Sequence, residues 1–318
     1  MLKKLEIDAL MADLASVEAM LASRTEEEDP SGYYQFSARK AQLEDSIARA
    51  GERPETHAEL GIFFGGGPVQ GSRGINADFA GKALDDLQAL VSKKYSSREV
   101  GRLGARGPVP RADTSQLLIT GVARGSFGFV LEESGVDGEI VNTPLKETVD
   151  EITDILSRVG VADEAVFDEA AAELDARTLV TLKQFFQRLD ESGATMRVVD
   201  GSRDFLLDRN AVSLARQRTQ AMEIEERGGE FIGTLFLLPN SHRFEFNPTD
   251  GGQAVLKGTF GPNVVRQLEG QAELGQVAID PREIPRRPWR VEIRTREIRE
   301  RNRAPRQVFT LTRLIAPV

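Results

Sequence analysis

The sequence has 318 residues, 40% hydrophobic and 29% charged, which exceeds one typical compact core, so two folded units plus an extension are expected. It contains no cysteine, which excludes disulfides, thiolate catalysis, Fe–S clusters and cysteine-based zinc sites, and it has only two histidines. The net charge of −9 is uneven, because residues 281–318 carry eleven arginines against four glutamates, a local net of +7.

The N-terminus predicts neither a signal peptide nor a membrane span. Its first residues, MLKKLEIDALMADL, place acids where a signal peptide has a purely apolar region. No window approaches the run of about 18 apolar residues that a membrane span requires. We therefore expect a cytoplasmic protein without membrane contact.

Residues 1–54 predict an antiparallel, coiled-coil-like helical hairpin. A heptad-type seam runs through residues 2–23, with apolar side chains alternately three and four positions apart: Ile7, Leu10, Leu14, Val17 and Leu21. After a polar break at Thr25–Ser31, a second helix continues over Tyr34–Ala50. Two such helices bury little by themselves. Their seam therefore meets either the body of this chain, a second copy or another protein.

Residues 55–228 predict a mixed α/β body that begins with β-structure. An apolar run at Leu60–Phe64 leads into a glycine-rich turn and then a helix over roughly Asn76–Lys93. After a loop rich in Arg, Gly and Pro, a β-hairpin pairs Gln116–Gly121 with Ser126–Leu131. The first part of the body is therefore a small β-α-β-β arrangement.

The second part of the body predicts three helices, another hairpin and a last helix. Thr143 before a proline is typical of a helix start. The second hairpin is expected over Ala194–Leu207, with its turn at Asp200–Arg203. The last helix is expected over Arg209–Glu226 and ends at Gly228–Gly229, where we place the domain boundary.

Residues 229–318 predict a small closed β-barrel that resembles OB-like or SH3-like architectures, without any diagnostic motif. The strands are expected at Phe231–Leu238, His242–Phe246, Ala254–Thr259, Gln271–Ile279, Trp289–Arg296 and Gln307–Leu314. A short helical piece is expected at Pro262–Leu268. The fold class is therefore α+β, with a helical hairpin, a mixed α/β body and a small barrel.

The glycine-rich turn at Gly65–Gly74 is the first candidate ligand site, because glycines between a strand and a helix can cradle a phosphate. The dinucleotide spacing G-x-G-x-x-G fails at Gln70, and a P-loop requires a glycine at Asn76. Turn geometry explains the glycines, and a nonstandard anion site is the alternative. Its ligands would be Gly66, Gly67, Ser72, Arg73 and Gly74.

No catalytic residue, metal site or cofactor is predicted. The sequence has no G-x-S-x-G, H-E-x-x-H or EF-hand pattern. His57 lies in a polar linker and His242 follows a turn, so both read as surface residues. Asp200 and Asp204 flank a turn, where carboxylates commonly cap backbone amides. The protein is accordingly expected not to be an enzyme.

The arginine-rich end is the second candidate site. Guanidinium groups favour phosphate contacts, and an aromatic side chain beside them could stack on bases. The candidate polyanion ligands are Arg286, Arg287, Trp289, Arg290 and Arg294. The alternation of Arg294 and Arg296 with apolar neighbours also fits one solvated face of a strand. A salt-bridged surface, a polyanion and an acidic protein, including the acidic remainder of this chain, are the three interpretations.

The function predicted from these patterns is non-enzymatic binding by an adaptor or regulatory protein. The hairpin would serve self-association or partner contact, and the barrel would serve recognition. Two alternatives remain open: nucleic-acid binding through the basic barrel, and a nucleotide- or phosphate-binding enzyme centred on the Gly65–Gly74 loop. The expected partners are therefore a protein or a second copy of the chain, with nucleic acid as a further possibility.

Overall fold

The computed structural model describes residues 2–100, 107–123, 127–135, 141–201, 203–238, 241–249, 254–269, 279, 284–300 and 303–318. The chain falls into two compact units, each made of three segments that alternate along the sequence. Unit 1 comprises Met1–Ala77, Leu117–Thr153 and Gly193–Asp208, and unit 2 comprises Asp78–Gln116, Asp154–Ser192 and Arg209–Val318. The predicted boundaries after residues 54 and 228 fall inside these segments.

Unit 1 begins with two helices, α1 (Lys3–Ala22) and α2 (Pro30–Glu52). Asp29 caps α2 by accepting a hydrogen bond from the Gly32 amide at 3.0 Å, and Pro30 occupies the first turn, where its missing N–H costs nothing. Within α2 only Leu43 and Ala50 are fully buried, and within α1 no residue is. The two helices therefore leave much of their apolar surface partly open.

Unit 1 also contains a five-stranded antiparallel sheet in the order β4-β5-β1-β6-β7. The strands of this unit are β1 (Glu59–Gly66), β2 (Val69–Gln70), β3 (Gly74–Ile75), β4 (Leu117–Ala123), β5 (Phe127–Glu133), β6 (Ala194–Asp200) and β7 (Arg203–Leu207). The central strand is β1, in which every residue of Leu60–Phe64 is buried. A continuous apolar run, which the sequence displays there, is what a central strand requires.

Both hairpins predicted for this sheet are confirmed as strand pairs. The first joins β4 to β5, and residues 124–126 between these strands lie outside the described residues. The second joins β6 to β7, with Val198 opposite Phe205. The strands β2 and β3 form a separate small ribbon inside the glycine-rich segment.

The remaining helices are α3 (Ala77–Glu99), α4 (Pro144–Val159), α5 (Glu164–Glu173), α6 (Ala176–Glu191), α7 (Arg209–Ala221) and α8 (Pro262–Leu268). Their starts follow capping rules: Asp163 accepts the amide of Ala165, and Asp175 accepts the amide of Thr178, both at 2.8 Å. In the described part of the chain, no helix has the length and apolar character needed to cross a membrane.

Unit 2 contains five strands that pair in a closed ring, in the order β10-β12-β11-β8-β9 and back to β10. The strands are β8 (Met222–Leu238), β9 (Arg243–Pro248), β10 (Leu256–Phe260), β11 (Trp289–Glu300) and β12 (Arg306–Pro317). All neighbours are antiparallel except β10 and β12, which are parallel. The predicted strand over Gln271–Ile279 lies outside the described residues except for Ile279.

The predicted helix over Arg209–Glu226 is too long, because α7 ends at Ala221 and β8 begins at Met222. Gly228 and Gly229 do not break the chain. They lie within β8 and pair with Arg294 and Ile293 of β11. The cross-strand hydrogen bonds of the long β8–β11 pair outweigh the weak strand preference of glycine here.

The tight pairing around Gly258 in β10 gives a testable prediction. A Cβ at this position would lie 2.0 Å from the Phe309 carbonyl oxygen and 3.0 Å from the Phe244 ring. We expect Gly258→Ala to lower the free energy of unfolding by roughly 1–3 kcal/mol. Urea denaturation followed by Trp289 fluorescence would measure the change.

Gly81→Ala is the matched control. Gly81 is an exposed residue of α3 with no heavy atom within 4 Å of its added Cβ, so the same substitution should stabilise by about 0.5–1 kcal/mol. If both variants shifted the unfolding midpoint in the same direction, the close approach at Gly258 would be wrong.

Candidate functional site

A polar cavity of about 320 Å³ lies in unit 1, beside the start of α4 and the end of β6. Basic, acidic and imidazole side chains share its wall: Lys3, Arg53, Glu55, His57, Glu59, Glu132, Glu133, Lys146 and Asp200. No cluster of three or more potential metal ligands occurs among the residues that the structure describes. The chemistry of the cavity therefore depends on how these charges neutralise one another.

The start of α4 is fixed by a short chain of hydrogen bonds. Thr143 caps the helix as predicted, accepting the amide of Lys146 at 3.0 Å. Its hydroxyl donates to the Glu133 carboxylate at 2.6 Å, and the same carboxylate oxygen accepts the Ala58 amide at 3.0 Å. The end of β5, the segment before β1 and the first turn of α4 are thus joined at Glu133, and this junction positions Lys146.

Lys146 and Asp200 form the buried centre of the site. The Asp200 side chain is 1% exposed, with one oxygen 3.4 Å from the Lys146 ammonium and the other accepting the Thr153 hydroxyl at 2.8 Å. Lys146 also donates to Asp150, one helical turn further along α4. Arg203 of β7 lies 3.5 Å from Asp200 at the outer side. The cluster therefore ties β6 and β7 to α4.

Burial and pairing act in opposite directions on the two central groups. Burial raises the pKa of Asp200, and the neighbouring Lys146 charge only partly offsets this. Burial lowers the pKa of Lys146, but its hydrogen bond to Asp150 and the Asp200 charge outweigh burial, so the pKa lies above its ordinary value. Lys146 therefore stays an ammonium at neutral pH, with Asp150 as its firmer carboxylate partner.

The other charges of the cavity wall are also partly paired. Lys3 lies 3.3 Å from the Glu55 carboxylate and donates to the Arg53 carbonyl at 2.8 Å. Arg53 itself pairs with Glu6 of α1 at 3.1 Å. His57 lies in the linker between α2 and β1, as predicted, and is half-buried in this wall, with Nδ1 3.2 Å from the Thr56 hydroxyl.

This arrangement joins neighbouring secondary-structure elements, because each central charge already has a partner. Its buried carboxyl groups also keep their protons to a higher pH than exposed ones do. The two cations Lys146 and Arg203 and the two carboxylates Asp150 and Asp200 balance one another without a ligand. Glu59, half-buried at the rim, has a pKa that burial raises. The groups form no nucleophile–base–orienter chain of the kind that acyl transfer requires. We therefore regard the cavity as a structural polar centre.

Sequence reasoning missed Asp200, which was predicted to cap a turn. The turn exists, but the carboxylate points into the buried cluster and accepts a hydroxyl from α4. A usable signal was present in α4: Lys146, Asp150 and Thr153 recur at helical spacing beside the apolar stripe. Three polar residues on the same face of a helix, next to its buried stripe, predict that a polar side chain packs against that face.

The Gly65–Gly74 loop is explained by backbone geometry. Gly66 has a φ of +78°, and a Cβ there would lie 2.3 Å from the Gly193 carbonyl oxygen. The amides of Gly67 and Arg73 donate to the carbonyls of Gly193 and Gln70, both at 3.0 Å. These amides are therefore engaged within the chain. The side chains of the predicted ligands Ser72 and Arg73 are exposed beside β3, which begins at Gly74, and their role as anion ligands stays a prediction.

The predicted arginine-rich site divides into exposed and buried parts. Arg286, Arg287 and Arg290 are exposed. Trp289 is only 3% exposed and lies in the hydrophobic core of the ring, so the predicted stacking of bases on its ring is wrong for this structure. Arg294 is also buried, and the solvated strand face predicted for it is wrong because other parts of unit 2 cover it.

Several arginines near the C-terminus are paired with acids of unit 2. Arg303 contacts Glu164 and Asp168, each at 2.7 Å, and Arg299 contacts Glu225 at 2.9 Å. These groups are at or near the surface, where solvent screening leaves such pairs with little effect on stability. The basic end thus meets acidic side chains of its own chain, in agreement with the salt-bridged interpretation.

Removing the buried carboxylate tests the Lys146–Asp200 cluster. We expect Asp200→Ala to lower the free energy of unfolding by about 1–3 kcal/mol, because the buried Thr153 hydroxyl loses its acceptor and Lys146 keeps only Asp150. Asp204→Ala is the control: it removes a partly exposed pair with Arg197 and should cost less than about 1 kcal/mol. Equal losses in chemical denaturation would contradict a special role for Asp200.

The raised pKa of Asp200 predicts a pH dependence. The unfolded chain releases this proton near the ordinary value of 3.8 and the folded chain at higher pH, so the free energy of unfolding falls as pH rises between the two values. Asp200→Asn lacks this titration and should gain stability relative to the parent as pH rises above about 4. Denaturation of both proteins between pH 4 and 7 measures the difference. A change in the opposite direction would mean that Lys146 lowers the pKa of Asp200.

The comparisons with known proteins give no information about function. No protein-family profile, curated protein or solved structure matches this chain. The features with functional potential are therefore those of the described residues: the partly open helices of unit 1 and the arginines of the ring in unit 2.

Proposed function

We propose that this is a non-enzymatic binding or adaptor protein that self-associates through α1 and α2 and uses the ring of unit 2 for recognition. The observation that carries the proposal is the apolar seam of α1. Its five members are all only half-buried: Ile7, Leu10, Leu14, Val17 and Leu21. Met11, with 53% of its surface exposed, and Met20 widen this apolar face.

The two helices are taken as an antiparallel hairpin. Ion pairs support this direction, since Glu6 near the start of α1 meets Arg53 after the end of α2, at 3.1 Å. Further along, Glu18 of α1 meets Lys40 of α2 at 2.8 Å. Both pairs join the two helices through charged side chains that are not members of the seam.

A second copy of the chain is the occupant that suits this face. With 20 residues, α1 is about 30 Å long, and two helices about 10 Å apart present a face on the order of 600 Å². Standard interfaces bury roughly 800 Å² per partner. The two helices carry five basic and seven acidic side chains, so two copies approach without strong repulsion. Heptad spacing is the pattern that packs against another helix of the same kind.

The ring of unit 2 is proposed to be a small OB-like or SH3-like barrel that recognises a ligand. Its closed pairing order and its aromatic core, which includes Phe244, Phe246 and Trp289, support this interpretation. Nucleic acid is the second candidate ligand, favoured by the exposed guanidinium groups of Arg286 and Arg290. Because Trp289 is buried, its ring is not available to stack on bases, and this weakens the case for nucleic acid.

Charge placed in the seam tests self-association. We expect Leu14→Glu to convert a dimer into a monomer, because two carboxylates would be buried against each other at the symmetric interface. Sedimentation velocity across a wide range of protein concentrations would measure the masses of the parent and the variant.

Ala12→Glu is the matched control, since Ala12 is an exposed residue of α1 outside the seam and receives the same charge. It should leave the dimer intact. A parent protein that is monomeric at every concentration would refute self-association. Equal loss of the dimer in both variants would place the interface elsewhere.

A further inference from the structure

Strand β11 has two faces of opposite character. Val291 and Ile293 point into the hydrophobic core of the ring. Arg294 and Arg296 lie on the other face, and each is only 8% exposed. Side chains two positions apart on a strand lie side by side. Two guanidinium groups are therefore buried next to each other on the outer face of the ring.

The contacts of these two arginines are neutral and incomplete. Arg296 donates to the Leu174 carbonyl at 2.7 Å and to the Thr310 hydroxyl at 3.4 Å. Arg294 has one long hydrogen bond, to the Ser97 hydroxyl at 3.4 Å. The Nε atoms of both arginines are buried without a hydrogen-bond partner in the described structure. Several hydrogen-bond donors of the pair are therefore unsatisfied.

Neither arginine forms an ion pair with a carboxylate among the residues that the structure describes, in contrast to Arg299 and Arg303. Burial lowers the pKa of Arg296, and the adjacent Arg294 charge lowers it further. The nearby carboxylates of Glu226, Asp175 and Glu173 act in the opposite sense. Glu226 and Asp175 accept hydrogen bonds from amides at the start of α6, and Glu173 pairs with Arg158. The positive charge of the pair thus lacks a direct counter-charge.

A third unsatisfied group lies at the end of α3. Ser96 precedes the Ser97 that contacts Arg294, and its hydroxyl is fully buried without a partner in the described residues. Guanidinium nitrogens only donate hydrogen bonds, and a serine hydroxyl can donate as well. The unsatisfied Nε groups of Arg294 and Arg296, with the Ser97 hydroxyl beside Arg294, match a ligand that offers acceptor oxygens and negative charge.

We propose that Arg294 and Arg296, with Ser97 at the end of α3, bind a small oxyanion of the phosphate or sulfate type. Planar guanidinium groups hold such anions through paired, charge-assisted hydrogen bonds. The small exposed fraction of both arginines favours a compact anionic group over an extended polyanion. This site is independent of self-association through α1 and α2, and it differs from the exposed arginines around Arg290.

Titration calorimetry of the full chain with inorganic phosphate, and separately with sulfate, would test the site against sodium chloride at matched ionic strength. We expect saturable binding of at least one of these anions, with thermal unfolding of the Trp289 signal shifted to higher temperature. Arg294→Gln should weaken binding about tenfold or more, because a charge-assisted hydrogen bond is lost. Arg290→Gln, an exposed arginine of the same strand, should leave the affinity unchanged.

Arg294→Lys keeps the charge but not the paired donors, and it should also bind more weakly than the parent, which separates recognition from net charge. Absence of saturable phosphate and sulfate binding by the parent protein would overturn the proposal, whatever the variants do. Equal loss of binding in Arg290→Gln and Arg294→Gln would overturn it as well. So would binding of a short oligonucleotide that depends on Arg290 while neither inorganic anion binds.

Discussion

The constraint that shapes both units is that a charge removed from water must be neutralised close by. In unit 1 this condition is met within the chain, because Lys146 and Arg203 lie beside Asp150 and Asp200, and Thr153 donates to Asp200. The resulting cluster fixes where α4 lies against the sheet. In unit 2 the condition is met only in part, since the buried arginines of β11 contact a carbonyl and hydroxyls. One unit therefore contains a closed polar network, and the other contains one that an added anion would complete.

Local signals predicted most elements well. The bounds of α8 agree with Pro262–Leu268, because a glycine followed by a proline marks a helix start without tertiary help. Alternation also predicted correctly that Arg294 and Arg296 share one face of a strand. It could not predict that this face is covered, because Ser97 and Leu174 come from distant parts of the sequence. The break expected at Gly228–Gly229 failed for the same reason: pairing with β11 is not visible locally.

The candidate sites show the same division between local and distant information. The residues near Asp200 suit a turn, and a capping acid and a buried acid look alike in such a sequence. Only the approach of Lys146, 54 positions earlier in the chain, distinguishes them. Within Gly65–Gly74, Gly66 and Gly71 have the positive φ that turn geometry requires of glycine, and this requirement is local. The spacing of apolar residues in the sequence also predicted the seam of α1. It did not predict how much of that seam other parts of the chain would bury.

The parallel pair of β10 and β12 affects the order in which the ring can assemble. Gly258 pairs with Phe309, so the ring cannot close until the ribosome has released the residues of β12. Before that moment β10 has β9 as its neighbour and an open edge on the other side. Contacts between segments so far apart in sequence slow folding, and unpaired edges favour aggregation. The edge of β10 that faces β12 is therefore unpaired in the nascent chain until synthesis reaches β12.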